Sequence, residues 1–253
     1  MSTRIEITGR TALVTGGANG IGLSLTRLLL REGAARVLVV GRDPGRLERL
    51  EAESPQVTPL RADLSDPADV DRLIGEVARF APELSLLINN AGTQQLTDFT
   101  SADAPSAIPA MRSEIEVNLT AVVALSAGLL PLLARQPSAA LLNVTSGLAL
   151  APKKSSPVYC ATKAGVRAFT QALRYQCEDA APHVRIVEAL PPAVDTDMTR
   201  GRGRGKISPD ACAAEILAGL KAGRPEIYVA AAKLLRVVDR LSPGLARRLM
   251  RDV

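Results

Sequence analysis

A chain of 253 residues that is 47% hydrophobic and 23% charged has the composition of an ordinary globular protein with enough apolar material for a sizeable core, which excludes disorder. Aromatic residues make up only 2%, so the core must be aliphatic, and a stacking platform for single-stranded nucleic acid is excluded. The net charge of +5 is local: residues 200–253 carry twelve Lys or Arg against five Asp or Glu, which points to an anion-attracting surface and away from general nucleic-acid binding.

In chain order, a polar opening, MSTRIEITGR, carries no apolar signal core. Strand-like runs then alternate with longer helical patterns. ALVTG precedes a helix over 21–32, RVLVV a helix over 44–53, and a short run near Val57 a helix over 67–80. LSLLINNAG is followed by a helix over 106–134, AALLNVTS by one over 157–180, VRIVEAL by one over 209–222, and EIYVA leads into a helical segment over 231–251. Near-continuous Val, Leu and Ile runs are what strands need when helices cover both faces of a parallel sheet, and right-handed crossovers make a doubly wound α/β sheet the expected topology. At this length one domain over 1–253 suffices. The longest mostly apolar stretch, 121–134, is interrupted by Ser126, Gly128 and Pro131 and is too short to span a bilayer, so a cytoplasmic protein with no membrane partner is expected.

Cys160, Cys177 and Cys212 lack metal-ligand spacing and read as buried reduced thiols, and the single His183 reads as structural, so no metal site is expected. Chemistry has to come from elsewhere. Between the first strand and the first helix lies Thr15-Gly16-Gly17-Ala18-Asn19-Gly20-Ile21-Gly22, where glycine lets the backbone turn tightly and approach a pyrophosphate at a helix N-terminus. Its G-x-x-x-G-x-G spacing differs from the G-x-G-x-x-G dinucleotide fingerprint. The second strand ends Val40-Gly41-Arg42, so the carboxylate that would accept an NAD ribose hydroxyl is replaced by a guanidinium suited to the 2′-phosphate of NADP. NADP(H) is therefore favoured over NAD(H), with Asp43 left as an alternative ribose partner.

Taken with Asn89-Asn90-Ala91-Gly92, Asn118 in EVNL, Ser146 in VTSG, and Tyr159-Cys160-Ala161-Thr162-Lys163, the chain resembles the short-chain dehydrogenase/reductase family over nearly its whole length. VTSGLAL, YCATKA and PPAVDTDM are most similar to bacterial members labelled D-alanine transfer oxidoreductases. The resemblance implies a single Rossmann domain, mostly a seven-stranded parallel sheet with helices on both faces, and a catalytic tetrad of Asn118, Ser146, Tyr159 and Lys163. It implies cofactor contacts at Gly16, Asn19, Gly20, Ile21 and Gly22, at Asp63 and Leu64, at Asn90, Ala91 and Gly92, at Tyr159 and Lys163, and at Pro191, Val194 and Thr196. In that scheme Ser146 orients a substrate carbonyl, Lys163 bonds the nicotinamide ribose, and Asn118 holds a water linking Lys163 to bulk.

Tyr159 and Lys163 are four apart on a helical stretch and share one face, so the ammonium, with the positive nicotinamide of the oxidised cofactor, is expected to lower the phenol from its reference value near 10. Pro192 stands where the family has glycine, which stiffens the backbone and removes one donor. The loop over 197–208, with Arg200, Arg202, Arg204 and Lys206 between glycines, reads either as a lid for an anionic ligand or as solubilising charge. The helices over 106–134 and 157–180 hold more Ala, Val and Leu than one sheet face buries, which together with the resemblance implies a homodimer or homotetramer. The leading functional expectation is an NAD(P)-dependent ketone reductase or alcohol dehydrogenase acting on a small or carrier-bound metabolite. A redox-neutral enzyme of the same fold, such as a dehydratase or cyclase, and a dinucleotide-sensing protein remain the alternatives.

Overall fold

A computed structural model describes residues 4–203 and 205–253. Seven strands form one parallel sheet: β1 (Thr11–Thr15), β2 (Arg36–Gly41), β3 (Val57–Arg61), β4 (Leu84–Asn89), β5 (Ala139–Val144), β6 (Val184–Leu190) and β7 (Glu226–Tyr228). Their spatial order is β3-β2-β1-β4-β5-β6-β7. All five residues of β1 and all six of β4 and of β5 are buried, as expected for strands with helices on both sides.

Alternate residues of each strand serve opposite layers. On one face Val14, Val37, Val39, Ile88 and Leu142 pack with Leu25 and Leu29 of α1 (Gly20–Arg31), Leu47 and Leu50 of α2 (Pro44–Glu53), and Ile216 and Leu220 of α7, the helix over Pro209–Lys221. On the other, Leu13, Leu38, Leu87 and Leu141 meet Val70, Leu73 and Val77 of α3 (Pro67–Phe80), Leu125, Leu129 and Leu133 of α5 (Ala121–Leu133), and Leu173 and Cys177 of α6 (Pro157–Ala180). Each Leu taken out of water contributes roughly 1.5–3 kcal/mol, so an aliphatic core suffices here without aromatic residues. All three thiols are buried and unpaired, and His183 is occupied by the Ala134 carbonyl, 2.9 Å from Nε2.

Two helical expectations need correction. The helix expected over 106–134 is four pieces: a 3₁₀ turn (Ala104–Ala107), α4 (Ile108–Ile115), a π-helical turn (Glu116–Thr120) and α5. The π turn carries one residue too many for a regular helix and aims Asn118 inward, where its amide is held by the Thr93 backbone. The helical run Ala104–Leu133 also begins well before the apolar stretch and is, by length and composition alone, long and apolar enough to cross a membrane. Leu125, Leu129, Leu132 and Leu133 are instead spent on the core against the sheet and α3. The segment expected over 231–251 divides into α8 (Ala231–Leu241) and α9 (Pro243–Met250), because a proline lacks the N–H that would continue the first helix.

Beyond β1 the chain winds outward through β2 and β3, then returns to lay β4 on the other side of β1. The carboxyl ends of β1 and β4 diverge there and leave the crevice in which an open α/β sheet binds ligands.

Candidate active site

The crevice is walled by the turn after β1. Thr15 fastens it to the segment after β4: its Oγ1 accepts from the N–H groups of Asn90 and Ala91 at 2.9 and 3.0 Å, while Asn90 Nδ2 donates to the Thr15 carbonyl at 2.9 Å. Asn19 caps α1, its Oδ1 accepting from Gly20 N at 2.9 Å, and its Nδ2 donates to Asp197 at 3.1 Å. Gly22 does not reach the crevice wall. A Cβ at that position would stand 2.1 Å from the Gly16 carbonyl oxygen and 2.6 Å from Asn90 Nδ2, so the residue lets the turn fold onto the helix, which differs from the direct contact the motif implies.

The cleft has a volume of about 960 Å3 and runs from this turn to the ends of β5 and β6. Gly16, Asn19, Gly20, Ile21, Arg42, Asp63, Leu64, Asn90, Ala91, Gly92, Ser146, Tyr159, Lys163, Pro191, Val194 and Thr196 all line it. Asn118 stands behind the wall, completely buried: Oδ1 accepts from Thr93 N and Nδ2 donates to Thr93 O, both at 2.8 Å, with a longer bond of 3.3 Å to Thr162 Oγ1.

At the β2 end, Asp43 is committed elsewhere. Its carboxylate caps α2 through Arg46 N at 3.1 Å and lies 3.4 Å from Arg46 Nε. The Arg42 side chain is 69% exposed, with its guanidinium 3.9 Å from Asp63. Arg46, which carries no motif signature, lines the same wall and bonds Asp197 at 3.0 Å.

Tyr159 and Lys163 share one face of α6 and are both buried. Lys163 Nζ donates to the Val144 carbonyl at 2.9 Å and lies 5.8 Å from the centroid of the Tyr159 ring. Burial dominates both groups. It pushes the Tyr159 phenol up to about 12, opposed in part by a hydrogen bond from Ser146, and pushes the Lys163 ammonium down to about 8, opposed in part by the Glu114 carboxylate. In the protein alone burial therefore dominates the phenol, whereas the expected lowering counts on the positive nicotinamide of the oxidised cofactor as well as on the ammonium.

Two buried acids escape motif reasoning. Glu114, one helical turn before Asn118, accepts from Gln95 N at 3.3 Å through one oxygen and leaves Oε2 without a partner; burial raises its carboxyl. Glu188 on β6 accepts from Thr145 Oγ1 at 2.6 Å and pairs with Arg167 at 2.5 Å, tying β5, immediately before Ser146, to β6 and α6. A charge inside VRIVEAL was the available signal, since a buried acid requires a partner. Lys153, between Ser146 and α6, also lines the cleft.

The loop over 197–208 is closed at its base, where Asp195 N donates to Ile207 O at 2.9 Å and Ile207 N to Ala193 O at 3.2 Å. Arg200 pairs with Asp197, Lys206 pairs with Asp195, and Arg202 lines the cleft with a bond to the Met198 carbonyl; Arg204 lies outside the described residues.

A parallel sheet with a glycine turn at its switch point, and Tyr159, Lys163 and Ser146 in the same cleft, define a dinucleotide-type α/β domain. Residues 10–206 match the family described as short chain dehydrogenase. The chain belongs to the short-chain dehydrogenase family of oxidoreductases. It is 37% identical over 230 residues to the uncharacterized oxidoreductase DltE of Bacillus subtilis strain 168, covering 88% of this chain and 89% of that protein. A short-chain dehydrogenase from Burkholderia cenocepacia J2315, solved in complex with NADP, superposes with a TM-score of 0.85 at 29% identity, over 97% of this chain and 99% of the other. One from Burkholderia phymatum, solved with NAD, shares the fold at 22% identity with a TM-score of 0.82 over 98% and 97%.

Proposed function

We propose that this chain is an NADP(H)-linked ketone reductase or alcohol dehydrogenase acting on a small or carrier-bound carbonyl compound in the cytoplasm. The observation that carries the reading is the presence of Ser146, Tyr159 and Lys163 on the wall of the cleft whose other end is the glycine turn. A nicotinamide dinucleotide fits: the volume suffices, and the first N–H groups of α1 face the turn as an anion site. Its adenosine end would meet Asp63 and Leu64, and its nicotinamide end Asn90, Ala91, Gly92, Val194 and Thr196. Two guanidinium groups, Arg42 and Arg46, on the wall where Asp43 is already engaged, favour the 2′-phosphate over a bare ribose. Three buried unpaired thiols suit a reducing compartment.

When bound, the cofactor supplies or accepts the hydride. Ser146 holds the carbonyl oxygen with its hydroxyl. Tyr159 keeps its proton at neutral pH, as an ordinary phenol does and as burial reinforces, so it stands ready to give that proton to the carbonyl oxygen. Lys163 then offsets the charge left on the phenolate, and Asn118 keeps the Thr93 segment and the α6 wall in register.

The test is NADPH oxidation against a ketone panel. Tyr159→Phe should lower turnover by about 10³-fold, within the range for a general acid, while NADPH affinity stays within threefold. An active Tyr159→Phe enzyme would defeat the assignment, and product formed without net NADPH consumption would move the protein to the redox-neutral class. We also propose a homodimer or homotetramer through the outward faces of α4 to α6, where Ile108, Ile115, Val123 and Tyr175 are exposed; light scattering that gives a monomer would overturn this.

A further inference from the structure

Resting on the carbonyl-reductase reading, we infer that the substrate is an anion, a carbonyl compound bearing a carboxylate or equivalent negative group, whose charge is received between Lys153 and Arg202. Both side chains line the cleft and both are half-buried. They come from different parts of the chain. Lys153 sits in the segment joining Ser146 to α6, and its carbonyl accepts a bond from Cys160 Sγ at 3.8 Å, beside Tyr159. Arg202 comes from the loop after Thr196, anchored by its bond to the Met198 carbonyl.

The sorting of charges around them is the second argument. Of the described cations in the basic loop, Arg200 and Lys206 each have a carboxylate partner, Asp197 and Asp195. Among the described residues neither Lys153 nor Arg202 pairs with an acidic side chain, and each is in the other's field. Partial burial and the neighbouring guanidinium both lower the Lys153 ammonium. Two like charges brought together in a half-desolvated wall destabilise the fold unless an anion joins them, and a ligand carboxylate or phosphate supplies that neutralisation. Leu96, Leu148, Leu235, Met198 and Met250 add apolar wall among polar residues such as Gln94, Gln95 and Ser155, so the expected substrate has an apolar segment between its carbonyl and its charge. Pairing with Asp197 and Asp195 occupies Arg200 and Lys206, the other described cations of the loop.

Two measurements test it. The first compares NADPH-dependent kcat/KM for linear keto acids of increasing length with their methyl esters. The acid should be preferred at least tenfold at the best length, and Lys153→Met and Arg202→Met should each cut that acid-to-ester ratio about tenfold, through KM. The second measures binding of the unreactive carboxylates butyrate to decanoate, against their amides, to the protein saturated with NADP+. Carboxylates should bind at least tenfold tighter than amides in the wild type, and this preference should vanish in Lys153→Met. Ketone turnover with no preference for acids or carboxylates, or with a preference that survives both substitutions, overturns the anion site and leaves the reductase reading standing. Carboxylate binding that depends on Lys153, with no ketone reduced, supports the anion site and overturns the reductase reading.

Discussion

The two ends of the cleft are built on different principles. At the turn end, backbone meets backbone: Thr15 takes the N–H groups of Asn90 and Ala91, and Gly22 lies against the Gly16 carbonyl with no room for a methyl group. At the proposed substrate end, long side chains line open space: Lys153 from the segment before α6, and Arg202 from a loop closed at its base around Asp195 and Ile207 and bonded to Asn19 and Arg46 through Asp197. Residue identity at the first end is dictated by covalent geometry and is the same whatever is bound. At the second, on the anion-site proposal, it is dictated by the ligand, and among the described residues Lys153 and Arg202 have no acidic side-chain partners.

The largest effect should come from breaking the first end at its tightest point. In Gly22→Ala the new Cβ falls 2.1 Å from Gly16 O, and the neighbouring atom is backbone, which cannot swing aside. Relief requires the turn to part from α1, so a loss of about 3 kcal/mol or more in urea unfolding is expected, at or beyond the upper range for overpacking. Dinucleotide affinity should fall at least a hundredfold. A stable variant that still binds dinucleotide would show that the turn has slack, and the contrast between the two ends would fail.

The same contrast decides what could be read without coordinates. The β/α alternation and the strands were legible because a two-sided sheet imposes unbroken apolar runs such as LSLLIN and AALLNV. The glycine turn, Asn90 to Gly92 and the Tyr159–Lys163 pair were legible because backbone approach and helical spacing tie their types to fixed intervals. The π turn was not, since one inserted residue barely disturbs a 3.6-residue periodicity although it moves Asn118 behind the wall. Lys153 was hidden as one more lysine in a polar loop, and Arg46 as a surface residue of α2. The setting of Lys163 was legible only in part, because spacing reports that it is near Tyr159 but does not report that it is buried with its amine held by the Val144 carbonyl.

That last point can be tested through pH. In the folded protein burial lowers the Lys163 ammonium to about 8, against 10.5 for a lysine in water. Below pH 8 both folded and unfolded chains carry the charge, and the cost of burying it is present in full. Between about 8 and 10.5 the unfolded chain keeps a proton that the folded one has lost, so folding stability rises with pH, by up to ~1.4 kcal/mol per unit and about 3 kcal/mol in total. Urea midpoints measured at pH 7.5, 9 and 10 should therefore climb for the wild type relative to Lys163→Met, whose side chain cannot titrate. Parallel curves would mean that the amine is better solvated than its burial implies.

Between the rigid and the open ends stands the wall carrying Arg42. If its guanidinium meets a 2′-phosphate, Arg42→Ala should weaken NADPH by about 1.5–3 kcal/mol, the worth of a charge-assisted bond, and leave NADH almost unchanged. Because the side chain is 69% exposed, the lower half of that range is expected. Equal loss for both cofactors would remove the case for NADP, and retention of NADPH binding until Arg46 is also replaced would show the two guanidinium groups sharing the phosphate.

The smallest effect is expected from a glycine at the open end. Gly201 has φ +72°, and a Cβ there would meet nothing within 4 Å, so Gly201→Ala costs only the strain of a left-handed residue, about 1 kcal/mol, with none of the collision that Gly22→Ala produces. The strain is local to a loop that joins the body near Asp195 and Ile207, so it is relieved by moving Arg202 and leaves the sheet in place. Global unfolding and dinucleotide affinity should change little, while KM for a keto acid rises about fivefold through the displaced guanidinium, in keeping with a shift of ~1 kcal/mol. Calorimetry for NADP+ and steady-state kinetics on the same preparation separate the two outcomes. A loss of dinucleotide binding in Gly201→Ala would mean that the loop and the turn, bridged by Asn19 and Asp197, respond as one unit, and that the two ends of the cleft are coupled where the contacts suggest independence.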